Sequence, residues 1–137
     1  KYLMLEKIEH IGIAVSDLET AIPLYTRLLN VEPYKTEKVE AEGVITVFFK
    51  TAGQKIELLQ GTKDGNTISR FIQVRGEGLH HIAFEVNDIK QEMQRLKTEG
   101  FTLLRDEPFK GADNKMVCFV HPSSAGHVLW ELCEEIK

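Results

Sequence analysis

The sequence predicts an α+β protein built from two βαβββ modules, and two observations carry that prediction. First, the stretch Ile8-Glu9-His10-Ile11-Gly12-Ile13-Ala14-Val15 returns as Leu79-His80-His81-Ile82-Ala83-Phe84-Glu85-Val86. Setting His10 on His81 also sets Val15 on Val86, Asp17 on Asp88 and Leu18 on Ile89. Second, each copy continues in the same order, with a capped helix and then three further strands. Neither half alone would bury both faces of its sheet, so the copies are expected to pair about a pseudo-twofold, with mixed sheets curling around a central site.

The length of 137 residues fits a single domain made of two half-size modules, about 6–75 and 77–135. A composition of 42% hydrophobic and 28% charged residues is that of a globular chain and excludes a disordered one. Net charge is −4, and no stripe of Lys and Arg offers a footprint for nucleic acid. No apolar run approaches the roughly 20 residues that span a bilayer, and no signal peptide is visible, so a cytoplasmic protein with no membrane partner is expected. Lys1-Tyr2-Leu3-Met4 reads as a trimmed start. Cys118 and Cys133 are far apart, form no C-x-x-C pair and read as reduced thiols packed like small apolar groups.

Residues 6–15 alternate as a strand, with Ile8, His10, Gly12 and Ala14 on one face and Glu9, Ile11, Ile13 and Val15 on the other. Ser16-Asp17-Leu18-Glu19 has capping-box spacing with Ser16 at the N-cap. Leu18, Ala21, Ile22, Tyr25, Leu28 and Leu29 follow at helical spacing, with Pro23 inside the first two turns and Asn30 as the stop. Strands are expected near 33–39, 44–50 and 54–60, a loop over 61–66 and a short helix over 67–74. Gly76-Glu77-Gly78 joins the modules; it precedes a strand, so it is a turn and not a phosphate loop. In the second module the strand 79–86 leads through Asn87-Asp88 into a helix burying Ile89, Met93 and Leu96. Gly100 suits a left-handed position after its end. Strands are expected near 101–106, 115–120 and 127–133.

Parity along these strands singles out four residues. In Lys55-Ile56-Glu57-Leu58-Leu59, Glu57 faces away from Ile56 and Leu58. In Val128-Leu129-Trp130-Glu131-Leu132-Cys133, Glu131 shares a face with Leu129 and Cys133, opposite Trp130 and Leu132. A carboxylate inside so apolar a strand is costly unless something pairs with it. Each glutamate closes its own module, at the place matching the other. A pseudo-twofold would bring His10, Glu57, His81 and Glu131 onto one concave surface, where two imidazoles and two carboxylates suit a divalent transition metal with water or substrate completing the shell. His80 and His81 cannot both point that way; the repeat selects His81 and sends His80 toward the helix or the strand entrance. His121 and His127 read as solvent-facing loop residues.

At these residues the sequence resembles the vicinal oxygen chelate superfamily (the glyoxalase, bleomycin-resistance and dioxygenase group), whose members pair βαβββ modules around a metal. More narrowly it is similar to the methylmalonyl-CoA epimerase family. The segments that carry this are Ile8 to Val15, Lys55 to Leu59, Gly76 to Val86, Phe119-Val120-His121-Pro122 and Val128 to Leu132. The resemblance implies metal ligands at His10, Glu57, His81 and Glu131, the four that parity selects. The implied metal is Co2+, Mn2+, Ni2+ or Zn2+. Thr46 stands where some of these epimerases carry a catalytic glutamate, and Glu57 where some have glutamine. The segment Ser123-Ser124-Ala125-Gly126-His127 departs from the family's usual loop, which begins with Lys and ends in a glycine pair.

The implied activity interconverts (2R)- and (2S)-methylmalonyl-CoA by a 1,1-proton transfer through a metal-stabilised enolate, with an acyl-CoA thioester as partner. Inversion needs a proton removed from one face and returned on the other, most simply by two bases. Glu131 is the first choice of base and Glu57 the second. The same shell also serves lactoylglutathione lyase (glyoxalase I), and the same fold serves metal-free small-molecule-binding modules; both stand as alternatives. Related proteins often dimerise through their sheets, so the resemblance admits a homodimer.

Overall fold

The computed structural model describes residues 5–137; Lys1–Met4, read above as a trimmed start, lie outside the described residues. The elements are β1 (Leu5–Ala14), α1 (Leu18–Leu29), β2 (Lys35–Val39), β3 (Val44–Lys50), β4 (Lys55–Gly61) and α2 (Thr67–Arg75). The pattern then restarts with β5 (Gly78–Val86), α3 (Ile89–Thr98), β6 (Phe109–Lys110), β7 (Lys115–Val120) and β8 (Trp130–Glu135). The expected α+β class with a repeated βαβββ order is borne out. By contact the described chain divides into two compact units, one of residues 10–80 and one of residues 81–137 together with the N-terminal stretch through Glu9.

In the first unit the strand order is β2-β3-β4-β1, with β1 parallel to β4 and β3 antiparallel to both of its neighbours. Alternation decides what each face meets. Val15, Val47, Phe49 and Leu58 pack on α1 through Leu18 and Ala21, while Ala14, Val44 and Leu59 pack on α2 through Ile68, Phe71 and Ile72. The N-cap of α1 is Asp17 and not the expected Ser16: the Asp17 carboxylate accepts from Glu19 N at 3.1 Å. Ser16 is drawn elsewhere, its backbone N–H donating to Glu77 Oε1 at 2.7 Å. The helix runs through Pro23 and stops at Asn30, whose φ of 57° is left-handed.

In the second unit the order is β5-β8-β7-β6, again with the first strand parallel to the last. One face packs Cys118, Val120 and Leu132 on α3 through Ile89, Met93 and Leu96. Asp88 caps α3, accepting from Gln91 N at 3.1 Å. Gly100 takes φ +97°, and the next residue, Phe101, donates its N–H back to Leu96 O at 2.9 Å, which closes the helix as the sequence predicts.

Two strands differ from expectation. The segment 101–106 is not a strand: it makes a single bridge, Leu103 with Val120, and pairing resumes only at the two residues of β6. The interruption coincides with Asp106-Glu107-Pro108, where proline has no N–H for a ladder. Arg105 turns back over the Phe109 ring, 3.7 Å from its centroid. The last strand starts at Trp130 instead of 127, because His127 adopts φ 68° and leaves extended backbone.

The modules also share a tie between strand and helix. Gln60 Oε1 accepts from the first helical N–H, that of Leu18, at 2.7 Å. Glu134 Oε1 does the same for Ile89 N at 2.7 Å. Each acceptor lies three residues past its module's singled-out glutamate, so it points to the opposite, helix-bearing face. Cys118 and Cys133 are buried and form no disulfide, as expected, and burial pushes the Cys118 thiol up to about 11. Among the described residues no helix is long and apolar enough to cross a membrane.

Candidate functional site

In the unit of residues 10–80, the parallel register sets Gly12 opposite Glu57. His10, two residues earlier on β1, therefore faces the same side. With no side chain at Gly12, Glu57 can lean back along the strand, and its Oε2 comes 3.1 Å from His10 Nδ1. Both side chains are only about 5–6% exposed. On the other side of β4, Phe48 lies opposite Glu57 and is fully buried, so it walls the pair with an aromatic ring.

The unit of residues 81–137 repeats the arrangement. Ala83 lies opposite Glu131 in the parallel β5–β8 register, and His81 is two residues earlier. His81 Nε2 is 3.1 Å from Glu131 Oε1, again with both side chains buried. Phe119 of β7 lies opposite Glu131 and meets the His81 ring edge to face at 5.7 Å and 87°. The recurring unit is a small residue, a glutamate and a phenylalanine across three adjacent strands, with a histidine diagonal to the glutamate.

A carboxylate held among Phe, Ala and Gly needs a positive partner, and an imidazole nitrogen at 3.1 Å supplies one only when it carries or shares a proton. A divalent ion meets the same need without the proton, and mixed nitrogen and oxygen donors suit the first-row metals. The donor chemistry of each pair therefore fits such an ion. Each of the four residues faces the side of its own module's sheet that parity predicts. His80 turns the other way and packs edge to face on Phe71 of α2 at 4.8 Å. His121 and His127 are exposed; His121 Nδ1 accepts from Ser123 N and so caps the turn that follows.

Thr46 is almost wholly buried and, through its register with Leu59, shares the face of Glu57. Its Oγ1 has no hydrogen-bond partner among the described residues. Sequence reasoning missed two ion pairs with buried carboxylates. Lys115 Nζ lies 4.0 Å from Glu9 Oε2, both residues 7% exposed; the signal was there, since Lys115 alternates in phase with Val117 and Phe119. Glu92 is fully buried and accepts from Arg95 Nε at 2.6 Å. Its position, between Ile89 and Leu96 and beside Met93, placed it in the apolar stripe. The Glu92 hydrogen bond and charge push the Arg95 guanidinium further above its already high value.

A family profile described as the Glyoxalase/Bleomycin resistance protein/Dioxygenase superfamily matches residues 9–119. The chain belongs to that superfamily. Within this superfamily it is 37% identical over 131 residues to the ethylmalonyl-CoA/methylmalonyl-CoA epimerase of Cereibacter sphaeroides, a match covering 94% of this chain and 98% of that protein. The crystal structure of methylmalonyl-CoA epimerase from Mycobacterium tuberculosis superposes with a TM-score of 0.94 at 29% identity, covering 100% of this chain and 93% of the other. A Streptomyces coelicolor methylmalonyl-CoA epimerase variant in complex with 2-nitronate-propionyl-CoA superposes with a TM-score of 0.90 at 30% identity, covering 97% and 99%. These relatives are epimerases, and the isomerase class expected of this chain is borne out.

Proposed function

We propose that this protein interconverts (2R)- and (2S)-methylmalonyl-CoA, using one divalent ion held by His10, Glu57, His81 and Glu131. The observation that carries the reading is the buried His–Glu pair present in the same register in both modules. The substrate class follows from the epimerases to which the chain is similar, one of them bound to an acyl-CoA analogue. That the two pairs serve one ion, and not two, is supported by the internal repeat and by the four-donor shells common in such chemistry.

The reaction removes a proton from C2, which lies between a thioester and a carboxylate, and returns one to the opposite face. A bound ion would supply Lewis-acid stabilisation of the negative charge that develops toward the thioester oxygen. The chain's own residues supply the proton transfers. Glu131 accepts the C2 proton of one epimer on a carboxylate oxygen, while His81 Nε2 beside Oε1 fixes the orientation of the group. Glu57, oriented in the same way by His10 Nδ1, delivers a proton to the other face and serves as the base for the opposite epimer. Phe48 and Phe119, each opposite its glutamate, keep water from the two carboxylates. Thr46 has no acid or base to offer, which leaves the second role to Glu57.

The test is proton NMR of methylmalonyl-CoA in deuterated water with cobalt-loaded protein, following the C2 proton. Exchange that stops on chelation is expected, with one cobalt bound per chain and binding lost in either His10→Ala or His81→Ala. Two ions per chain would overturn the shared site. Absence of exchange in a folded, metal-loaded sample, with turnover of the methylglyoxal–glutathione hemithioacetal instead, would overturn the epimerase reading.

A further inference from the structure

We propose that the protein carries a second small-molecule site, on the α3 side of the 81–137 unit, that takes a neutral aromatic molecule bearing one amide or hydroxyl group. The site is a cavity of about 310 Å3 lined by Leu5, Phe84, Leu96, Phe101, Trp130 and Leu132, with Ser124, Ala125 and Gly126 along its rim. That volume is at the lower end of the ~300–1,000 Å3 range of ligand pockets and far larger than the voids that close-packed interiors leave. The walls are apolar and partly flat, since the Phe84 and Trp130 rings stack at 5.3 Å with 20° between their planes. The cavity is separate from the His81–Glu131 pair: Trp130 and Leu132 face it, while Glu131, between them, faces the other side of β8.

Glu92 and Arg95 also line this cavity and give it a polar part. Glu92 is fully buried, and its Oε1 takes both the Nε and the Nη2 of Arg95. Its Oε2 is buried with no hydrogen-bond partner among the described residues. A buried acceptor left unsatisfied is costly, so a donor entering here has something to gain. The Arg95 side chain beside it is 46% exposed, so the polar end of the cavity is reached from solvent by displacing that side chain. The guanidinium has five N–H donors, and its outward ones are directed to an acceptor. The ion pair is already neutral overall, so a charged head would bring an uncompensated charge against apolar walls. An amide or a phenolic hydroxyl, donor and acceptor in one group, satisfies both sides.

Trp130 is the sole tryptophan, which makes its fluorescence a direct reporter. The experiment titrates the full chain, treated with chelator so that the result is independent of the proposed metal, with benzamide, toluene and benzoate. Amide shifts by 1H–15N NMR are followed in parallel. Saturable quenching by benzamide is expected, with shifts centred on the cavity lining: Leu5, Phe84, residues 92–101, Val120 and residues 124–132. Toluene should bind about fivefold more weakly, the ratio given by one hydrogen bond of ordinary net strength, and benzoate more weakly than benzamide. Leu96→Phe, which fills the cavity, should abolish the quenching; Ala125→Leu is the second filling variant should the first fail to fold. No saturable change, undiminished binding by a folded filling variant, or toluene binding as tightly as benzamide would overturn the proposal.

Discussion

Replacing Glu57 by glutamine separates its two proposed roles. Glutamine has the shape of glutamate, so the contact at 3.1 Å to His10 and the packing against Phe48 and Gly12 can be kept. What is lost is the charge and the ability to hold a proton. The charge-assisted contact weakens by about 1 kcal/mol, and removal of a buried charge offsets much of that, so folding stability should change by less than about 1 kcal/mol. The chemistry should change far more, because a positioned general base contributes about 10²–10⁴-fold. The loss is also directional. The epimer whose proton is taken by Glu131 should still exchange its C2 proton with deuterium at close to the parent rate, but without inverting. The epimer whose proton is taken by Glu57 should be inert. The assay presents each epimer separately to cobalt-loaded E57Q in deuterated water, following C2–H by NMR and inversion by an enzyme that consumes only one epimer. Inversion at the parent rate would show that Glu57 is not a base. Equal loss of exchange from both epimers, with metal binding lost as well, would show that it acts only as a donor to the ion.

Three further outcomes follow from buried groups elsewhere. Thr46→Val removes a hydroxyl that has no partner among the described residues and keeps the shape, so it should raise stability by up to about 1 kcal/mol in urea titration; a loss of that size would reveal a hidden partner. Glu134→Ala strips the acceptor from Ile89 N and should lower stability by about 1–2 kcal/mol, or roughly 3–6 °C in Tm; Gln60→Ala, its counterpart at Leu18, should cost less because its acceptor is uncharged. The Cys118 thiol, raised by burial from 9.0 to about 11, ionises later in the folded chain than in the unfolded one. Its contribution is intact well below pH 9, and stability should fall by about 2 kcal/mol as pH rises from 9 to 11; Cys118→Ala should flatten that slope, and an unchanged slope would show that the thiol is not its source.

Most of the fold was legible because the sequence states it twice. A helix cap, a helical stripe and three alternating runs recurring after each histidine leave little room for another topology, and β3 and β7 are found at the expected residues. What failed was local. Ser16 and Asp17 both suit an N-cap, and the choice fell to Glu77, a residue sixty-one positions away that engages Ser16 N. The run 101–106 has strand composition, but nothing in its own residues says that only Leu103 will meet β7. Glu92 and Arg95 were not singled out, since charge at helical spacing is commonplace on solvated faces. Only the packing against Leu96 and Phe101 puts the carboxylate under cover.

The four singled-out residues were legible for a different reason, which lies in strand parity. In each module the last strand has to serve two masters. Its even-numbered positions meet the helix: Leu58 and Gln60 in one, Leu132 and Glu134 in the other. Its odd-numbered positions carry Glu57 and Glu131 to the opposite face, beside Gly12 and Ala83. A polar side chain is tolerated on the helix side because the first N–H of a helix has no internal partner and needs an acceptor. On the other side phenylalanine and a small residue flank the carboxylate. There the histidine two residues before the small one pairs with the carboxylate. A glutamate whose place is fixed by register and whose histidine partner can give up a proton is set for a cation or for moving a proton, and the proposed reaction asks for both.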